Sequence, residues 1–214
     1  MGMDSNEIQF IFFDLGRVLI HTPLDARRAA VILGIPDPSE NEVQLVDHSI
    51  WSHRDSYDQG ISDFDFWNKV AGDCGLPDPD EATVRQLVSY DIARCENPDP
   101  EAIQLVRDLK QRGFGLGILS NAPVSIATHT RQQPWAKELF PIAVFSGEEN
   151  TVKPDQRIYR LALERCQVSP AHTLFTDDRE VNVHGAEMVG IKGLVWEDPA
   201  QARRTLTDWH ILGR

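Results

Sequence analysis

Phe12-Phe13-Asp14-Leu15-Gly16-Arg17-Val18-Leu19 ends the first hydrophobic run of this 214-residue chain. Large apolar residues that stop at a single aspartate predict a buried strand, here Gln9 to Phe13, with a carboxylate at its carboxyl end. In α/β proteins with parallel sheets, this edge of the sheet is where ligands bind. An isolated aspartate is also a common cap or turn residue. The interpretation of Asp14 therefore depends on what stands at the other predicted strand ends.

Three later segments place polar side chains beside predicted strands and helices. Ser120-Asn121 follow a strand predicted from Phe114 to Leu119, and Asp177-Asp178 follow one predicted from Thr173 to Thr176. Lys153 precedes a helix that the pattern predicts to begin at Pro154. Because the carboxyl ends of parallel strands meet at one edge of a sheet, we expect these side chains to share one crevice with Asp14.

The order of predicted elements indicates an α/β protein. From residue 96 onward, strand-like and helix-like segments alternate, which is typical of a parallel sheet, and about five strands are expected in total. Residues 22–95 instead contain four helical patterns without strands, punctuated by Pro and Gly: Leu24 to Leu33, Glu42 to Trp51, Asp63 to Cys74 and Glu81 to Ala93. We therefore predict a Rossmann-like core of residues 1–21 and 96–214, with a four-helix cap domain inserted at 22–95.

Composition narrows the class of protein. Hydrophobic residues make up 41% and charged residues 25% of the chain, as in ordinary globular proteins. A net charge of −12 argues against nucleic acid as a partner. There is no apolar run long enough for a membrane span, and the first residues lack the features of a secretory signal, so we expect a cytoplasmic protein. Three unpatterned cysteines fit reduced thiols. An oligomeric state does not follow from composition.

The side chains expected to share this crevice have the chemical groups that phosphoryl transfer requires. A carboxylate such as Asp14 can attack phosphorus and carry the group as an aspartyl-phosphate. Asp177 and Asp178 provide the oxygen ligands that Mg²⁺ prefers. Lys153 can offset the phosphate charge, and the Ser120 hydroxyl can donate a hydrogen bond to phosphate. The sequence thus predicts a site for a small phosphorylated metabolite.

At this point the chain resembles the haloacid dehalogenase superfamily. Its four motifs occur in order as Phe12 to Leu19, Leu119-Ser120-Asn121, Lys153 to Tyr159 and Thr176 to Ala186. The resemblance implies a Rossmann-like fold with an inserted helical cap, and Mg²⁺-dependent phosphatase activity in most relatives.

The resemblance also implies roles for individual residues. Asp14 would be nucleophile and metal ligand, Gly16 a metal ligand through its carbonyl, Asp178 a direct ligand, and Asp177 a less direct or water-mediated one. Ser120 and Lys153 would act in catalysis. Asn121 is a candidate substrate-binding residue. Arg17 either contacts substrate or braces its loop against Asp14 or Asp178.

One position departs from the family pattern. Most phosphatases of this family carry a second aspartate two residues after the nucleophile, where it acts as general acid and base, and here Gly16 stands in its place. Losing such a group typically costs about 10²- to 10⁴-fold in rate. A branch that includes α-D-glucose-1-phosphate phosphatases is similar in this respect. An anomeric oxygen leaves more easily than an alkoxide, so we expect a sugar 1-phosphate or another good leaving group.

Two alternatives remain open from the sequence. A 2-haloacid dehalogenase uses the same aspartate, and Lys153 followed by Tyr159 also occurs in those enzymes, but they lack the acid pair Asp177-Asp178. A non-catalytic or very slow binding protein would explain Gly16 as lost activity.

The cap is expected to set specificity, since an insertion after the first strand would cover the carboxyl edge of the sheet. Polar and aromatic residues of the second predicted helix and the segment after it are the candidates, and one of them is a possible replacement for the missing acid. For each of them a structural role, in the cap's core for the tryptophan or on its surface for the polar members, is the favoured alternative. The set is His48, Trp51, His53, Asp55, Tyr57 and Asp58.

Overall fold

A parallel β-sheet forms the centre of the molecule, for which a computed structural model describes residues 8–213. Its strands are β1 (Phe10–Phe13), β2 (Gly115–Ser120), β3 (Ile142–Phe145), β4 (Thr173–Asp177) and β5 (Lys192–Val195). They are arranged in the order β3-β2-β1-β4-β5, and every neighbouring pair is parallel. The predicted α/β class is therefore confirmed. Residues 1–7, on which the absence of a signal sequence was judged, and residue 214 lie outside the described residues.

Helices cover both faces of this sheet. They are α5 (Pro100–Gln111), α6 (Val124–Gln132), α7 (Pro134–Leu139), α8 (Ser146–Glu149), α9 (Gln156–Cys166), α10 (Glu180–Glu187) and α11 (Pro199–Asp208). Alternate side chains of β1 lie on opposite faces of the sheet, and each set packs against a different layer of helices. Ile11 and Phe13 pack in one apolar cluster with α5, α6, α7 and α11, and Phe10 and Phe12 pack in another with α9 and α10. A strand buried on both faces reads as a continuous apolar run.

Four further helices lie between β1 and α5: α1 (Ala26–Ile32), α2 (Glu40–Asp58), α3 (Asp63–Asp73) and α4 (Glu81–Ala93). Each follows an N-cap residue whose side chain accepts a backbone N–H, namely Asp25, Ser39, Ser62 and Asp80. They share an apolar cluster of their own, in which the Tyr57 and Phe66 rings stack 3.9 Å apart. The domain boundaries at residues 22 and 95 stay a prediction.

Several predicted boundaries were wrong, each for a local reason. Helix α2 begins at Glu40 and runs on to Asp58 rather than ending at Trp51, because its last turns are polar and show no apolar periodicity. The helix predicted to begin at Pro154 begins at Gln156, because the Asp155 side chain caps it by accepting the Arg157 N–H at 2.8 Å. The short helix α8 was not predicted.

None of the helices within residues 8–213 has the length and hydropathy needed to cross a bilayer.

Candidate active site

The carboxyl ends of β1, β2 and β4 meet because these three strands are neighbours in the sheet. Asp14 directly follows β1, and its N–H donates to the carbonyl of Thr176 in β4 at 2.9 Å. Ser120 is the last residue of β2, Asp177 is the last of β4, and Asp178 follows it. The structure thus brings together the side chains that the sequence predicted to meet.

Lys153 connects two of these carboxylates. Its Nζ donates to Oδ1 of Asp14 at 2.8 Å, to Oδ2 of Asp177 at 2.5 Å and to the Leu119 carbonyl at 3.1 Å. The Lys153 side chain is only 1% exposed. A buried ammonium with three acceptors is fully satisfied, so its position is fixed relative to Asp14.

Asn121 holds the backbone of Lys153 from both sides. Its Oδ1 accepts the Lys153 N–H at 2.8 Å, and its Nδ2 donates to the Lys153 carbonyl at 3.0 Å. These two bonds join the end of β2 to the loop that carries Lys153. The predicted contact between Asn121 and substrate stays a prediction, although Asn121 also lines the cavity described below.

Burial sets the charge states here. It raises the pKa of Asp14 to about 6, against the attraction of Lys153 and with the added repulsion of Asp177. Burial alone would lower the pKa of Lys153, but Asp14 and Asp177 raise it above its ordinary value. The ammonium therefore stays charged. A neighbouring cation that favours the ionised form of Asp14 is what a carboxylate nucleophile requires.

Asp14, Asp177 and Asp178 each offer a carboxylate oxygen within 4.8 Å of the others. Three carboxylates with one lysine leave an excess of negative charge that a divalent cation would balance, and oxygen donors suit Mg²⁺. The donor set therefore fits this ion.

The three carboxylates are not equivalent. Both oxygens of Asp177 are already engaged, Oδ2 by Lys153 and Oδ1 by the Arg179 N–H at 2.9 Å, and Asn182 Nδ2 donates to both. The Asp177 side chain has no exposed surface, whereas those of Asp14 and Asp178 are 10% and 19% exposed. Asp14 and Asp178 are thus the more accessible carboxylates, and the predicted division between these two as direct ligands and Asp177 as an indirect one stays a prediction.

The loop after Asp14 holds Gly16 and Arg17. Gly16 lines the same cavity, and its predicted role as a carbonyl ligand stays a prediction. Arg17 has a φ of 59°, and its Nη1 lies 3.8 Å from Oδ2 of Asp178. The Arg17 side chain is 82% exposed, so solvent screens this ion pair and it contributes little to stability.

A cavity of about 470 Å³ lies between these residues and the helical insertion, which contributes part of its lining. Trp51, Asp55 and Asp58 of α2 line it, and their predicted contact with substrate stays a prediction. The other cap candidates among the described residues lie elsewhere. His53 pairs with Asp73 at 2.8 Å, His48 is exposed, and the buried Tyr57 hydroxyl donates to Asp63 at 2.5 Å.

Arg54 also lies on the cavity wall and was not among the residues predicted from the sequence. Its Nε donates to Oδ1 of Asp58 at 2.8 Å, and its Nη1 lies 3.8 Å from Asp91. Arg94 completes the group by donating to Asp91 at 2.6 Å. The spacing of Arg54 and Asp58 is that of an i,i+4 helical ion pair, which would have been visible had α2 been predicted to its full length.

These motifs and this sheet are shared with a known family. A family model described as haloacid dehalogenase-like hydrolase matches residues 10–190. The chain belongs to this family. The more specific resemblance to glucose-1-phosphate phosphatases stays a prediction.

Relatives with named activities include two phosphatases. The sesquiterpene phosphatase astK of Aspergillus oryzae is 29% identical over 152 residues, which cover 70% of this chain and 74% of that protein. The phosphorylated carbohydrates phosphatase of Thermotoga maritima is 30% identical over 98 residues, which cover 45% of this chain and 44% of the relative.

Solved structures of this family share the fold. A HAD family enzyme of Bacteroides thetaiotaomicron, in complex with magnesium and inorganic phosphate, matches with a TM-score of 0.64 at 20% identity, covering 89% of this chain and 94% of that one. The L-2-haloacid dehalogenase PA0810 matches with a TM-score of 0.68 at 17% identity, covering 94% and 99%. At these identities the likeness concerns the fold alone.

Proposed function

We propose that this chain is a Mg²⁺-dependent phosphatase that hydrolyses a small phosphate monoester through an aspartyl-phosphate on Asp14. The observation that carries the proposal is the contact between Asp14 and the buried Lys153, beside a second accessible carboxylate, Asp178, on the same cavity wall. Phosphatases among the relatives support the same reaction class.

Each residue of the site has a separate proposed role in phosphoryl transfer. Asp14 supplies the attacking oxygen, and Lys153 fixes that carboxylate and offsets the negative charge of the arriving phosphate. Ser120, buried at the end of β2, lies close enough to lower the pKa of Asp14 by hydrogen bonding and can donate to a phosphate oxygen. Asp14, Asp178 and the Gly16 carbonyl would hold Mg²⁺, which when bound provides Lewis-acid stabilisation of the phosphate charge.

The substrate class is proposed from the charge balance of the cap. Arg54 and Arg94 face Asp58 and Asp91, so this group is neutral overall and offers no surplus cation for a second phosphate or a carboxylate. Ion-paired guanidinium and carboxylate groups can still exchange hydrogen bonds with hydroxyls. The wall therefore favours a neutral, hydroxyl-bearing leaving group.

Trp51 adds a surface on which a sugar ring could pack. Its indole is 56% exposed at the cavity, and its Nε1 donates to Oδ1 of Asp47 at 3.1 Å, which fixes the ring. An aromatic ring with its polar edge engaged presents a flat apolar face. Together with the leaving-group argument at Gly16, this favours a sugar 1-phosphate, a small metabolite of the cytoplasm, where we place the protein.

Dehalogenation is the second candidate, because dehalogenases share the fold. One observation weighs against it: Asp178 adds a negative charge beside Asp14 that carbon chemistry does not need.

A screen of phosphate monoesters, with Mg²⁺ or with EDTA, tests the proposal beside an Asp14→Asn variant. We expect phosphate release that requires Mg²⁺ and is lost in the variant. Halide release from 2-haloacids without metal would support the dehalogenase instead. Inactivity in both assays would support the non-catalytic alternative.

A further inference from the structure

Gly16 leaves the site without the side chain that would protonate a leaving oxygen, so another group on the cavity wall would have to take that role. Titratable groups there, other than the proposed metal ligands and Lys153, include Asp55, Asp58 and His21. Asp58 already forms an ion pair with Arg54 at 2.8 Å, and Asp55 and Asp58 both belong to α2 of the cap. His21 belongs to the same chain segment as Asp14.

We propose that His21, oriented by Asp99, serves as the general acid and base of this site. The inference rests on the proposed phosphatase function. It assigns the role of the missing acid to a residue outside the four sequence motifs, on the chain that connects the core to the helical insertion.

The backbone of the loop places His21 near Gly16. The loop folds back on itself, since the Arg17 N–H donates to the Ile20 carbonyl at 2.7 Å and the Ile20 N–H donates to the Leu15 carbonyl at 2.8 Å. Gly16 and Ile20 form a β-bridge as a result, and such partners lie about 4.8 Å apart. His21 is thus the next residue along from the bridge partner of Gly16, and it lines the cavity that Asp14 also lines.

Asp99 provides the second element of the arrangement. Its Oδ2 lies 3.4 Å from Nε2 of His21, while its Oδ1 accepts the Ala102 N–H at 2.8 Å at the start of α5. Its own N–H donates to the Leu19 carbonyl at 2.8 Å, which ties it to the loop that carries His21. A carboxylate held in this way orients the ring through Nε2, so that Nδ1 is the nitrogen proposed to exchange a proton with substrate.

His21 is also accessible to substrate. Its side chain is 43% exposed, whereas that of Asp99 is 24% exposed. A proton donor must reach the leaving oxygen, and its orienting partner need not.

Asp14 attacks phosphorus, the bond from phosphorus to the leaving oxygen breaks, and the imidazolium of His21 gives its proton to that oxygen, which departs as an alcohol. Neutral His21 then takes a proton from the water molecule that attacks the aspartyl-phosphate. The bond between phosphorus and Asp14 breaks, and inorganic phosphate and the imidazolium result.

A His21→Gln variant, assayed with Mg²⁺ on phosphate esters whose alcohols differ in acidity, tests the inference. General acid–base catalysis contributes about 10²- to 10⁴-fold, so kcat/KM should fall about 100-fold or more for alkyl phosphates. For p-nitrophenyl phosphate it should fall by less than about 5-fold, because that leaving group departs without a proton. The kcat for p-nitrophenyl phosphate should still fall, with a burst of nitrophenol, since the second step lacks its base.

Two further variants complete the experiment. Asp99→Asn keeps a side chain that can cap α5, so this variant should fold. It should shift the leaving-group dependence in the same direction as His21→Gln but by a smaller factor, and it tests the inference even if His21→Gln does not fold. His184→Gln changes a histidine that is 70% exposed on α10 and should leave the dependence unchanged.

The outcomes separate this inference from the proposed function. If the unchanged protein releases phosphate and Asp14→Asn does not, the function stands. A His21→Gln variant that then loses activity equally for all leaving groups, or for none, overturns the role of His21. A leaving-group effect in Asp58→Asn and not in His21→Gln would transfer the role to Asp58. If no ester is hydrolysed by the unchanged protein, the proposed function itself fails.

Discussion

Gly60 and Gly147 meet where the end of α2 reaches the core, and a Cβ atom on Gly60 would lie 2.8 Å from the carbonyl oxygen of Gly147. Two hydrogen bonds accompany this contact. Ser146 Oγ donates to the Asp58 carbonyl at 2.5 Å, and the Tyr57 hydroxyl lies 3.2 Å from that of Ser125. The helix that carries the cap side of the cavity is therefore attached to the core at its carboxyl end.

A Gly60→Ala variant should be destabilised by this contact. Gly60 has a φ of +109°, and the added Cβ would also meet the Gly147 backbone, so we expect a loss on the order of 2–4 kcal/mol in the free energy of unfolding. Gly34→Ala is the matched control, because Gly34 has a φ of +102° with nothing within 4 Å, and should lose only about 1–2 kcal/mol. Urea unfolding measures both. Equal losses would contradict the close packing of Gly60.

Replacing Lys153 by Met should destabilise the protein as well as inactivate it. Removal of one partner of a buried ion pair typically costs about 3–5 kcal/mol, because the remaining charge has no compensation. Here Asp14 and Asp177 would both lose their ammonium. Adding Asp177→Asn to Lys153→Met should recover part of the loss in denaturant unfolding. No recovery in the double variant would show that Asp177 and Lys153 are not coupled.

Without metal, Asp14 should make stability depend on pH. Its folded pKa of about 6 lies above the ordinary value of 3.8, so the folded state binds more protons than the unfolded state between these values. Stability contributed by protonated Asp14 is present below about pH 4 and is lost as the pH rises through 6, by on the order of 3 kcal/mol. Unfolding curves in EDTA should show this loss relative to Asp14→Asn. Parallel curves for the two proteins would contradict the raised pKa.

Asp58→Asn should change substrate preference. If the pair of Arg54 and Asp58 contacts the hydroxyls of the leaving group, kcat/KM for sugar phosphates should fall about 10-fold relative to a simple alkyl phosphate, whose leaving group is of similar acidity and carries no further hydroxyl. Arg85→Met removes an exposed cap arginine that pairs with Glu81 and should leave the ratio unchanged. A fall of the same size for both substrates would place Asp58 in the chemistry common to all esters instead.

The predictions that succeeded depended on strongly patterned elements. The apolar run before Asp14 and the alternation after residue 96 led to the parallel sheet and to the meeting of Asp14, Lys153 and Asp177, because parallel strand ends share one edge. The cap was harder to predict. Residues 52–58 of α2 are mostly polar and give no periodic signal, so Arg54 was not predicted to lie in the site. Its neighbour Asp91 is 37 residues away in the sequence, and only tertiary packing brings the two together.

His21 illustrates a different difficulty. Its proposed role depends on a fold-back of the loop after Asp14 and on Asp99, which is 78 residues further along the chain. No spacing in the sequence relates these residues, and a lone histidine near an apolar segment has many structural explanations. Backbone hydrogen bonds within the loop and between Leu19 and Asp99 create the relationship.

The most direct test of the central claim is mass spectrometry of the acid-quenched protein. The protein is mixed with Mg²⁺ and an ester that it hydrolyses, and turnover is stopped with acid before the analysis. The account predicts one added phosphoryl group on the peptide that contains Asp14, and none in Asp14→Asn. Steady phosphate release by Asp14→Asn, or a phosphoryl group on another residue, would contradict it.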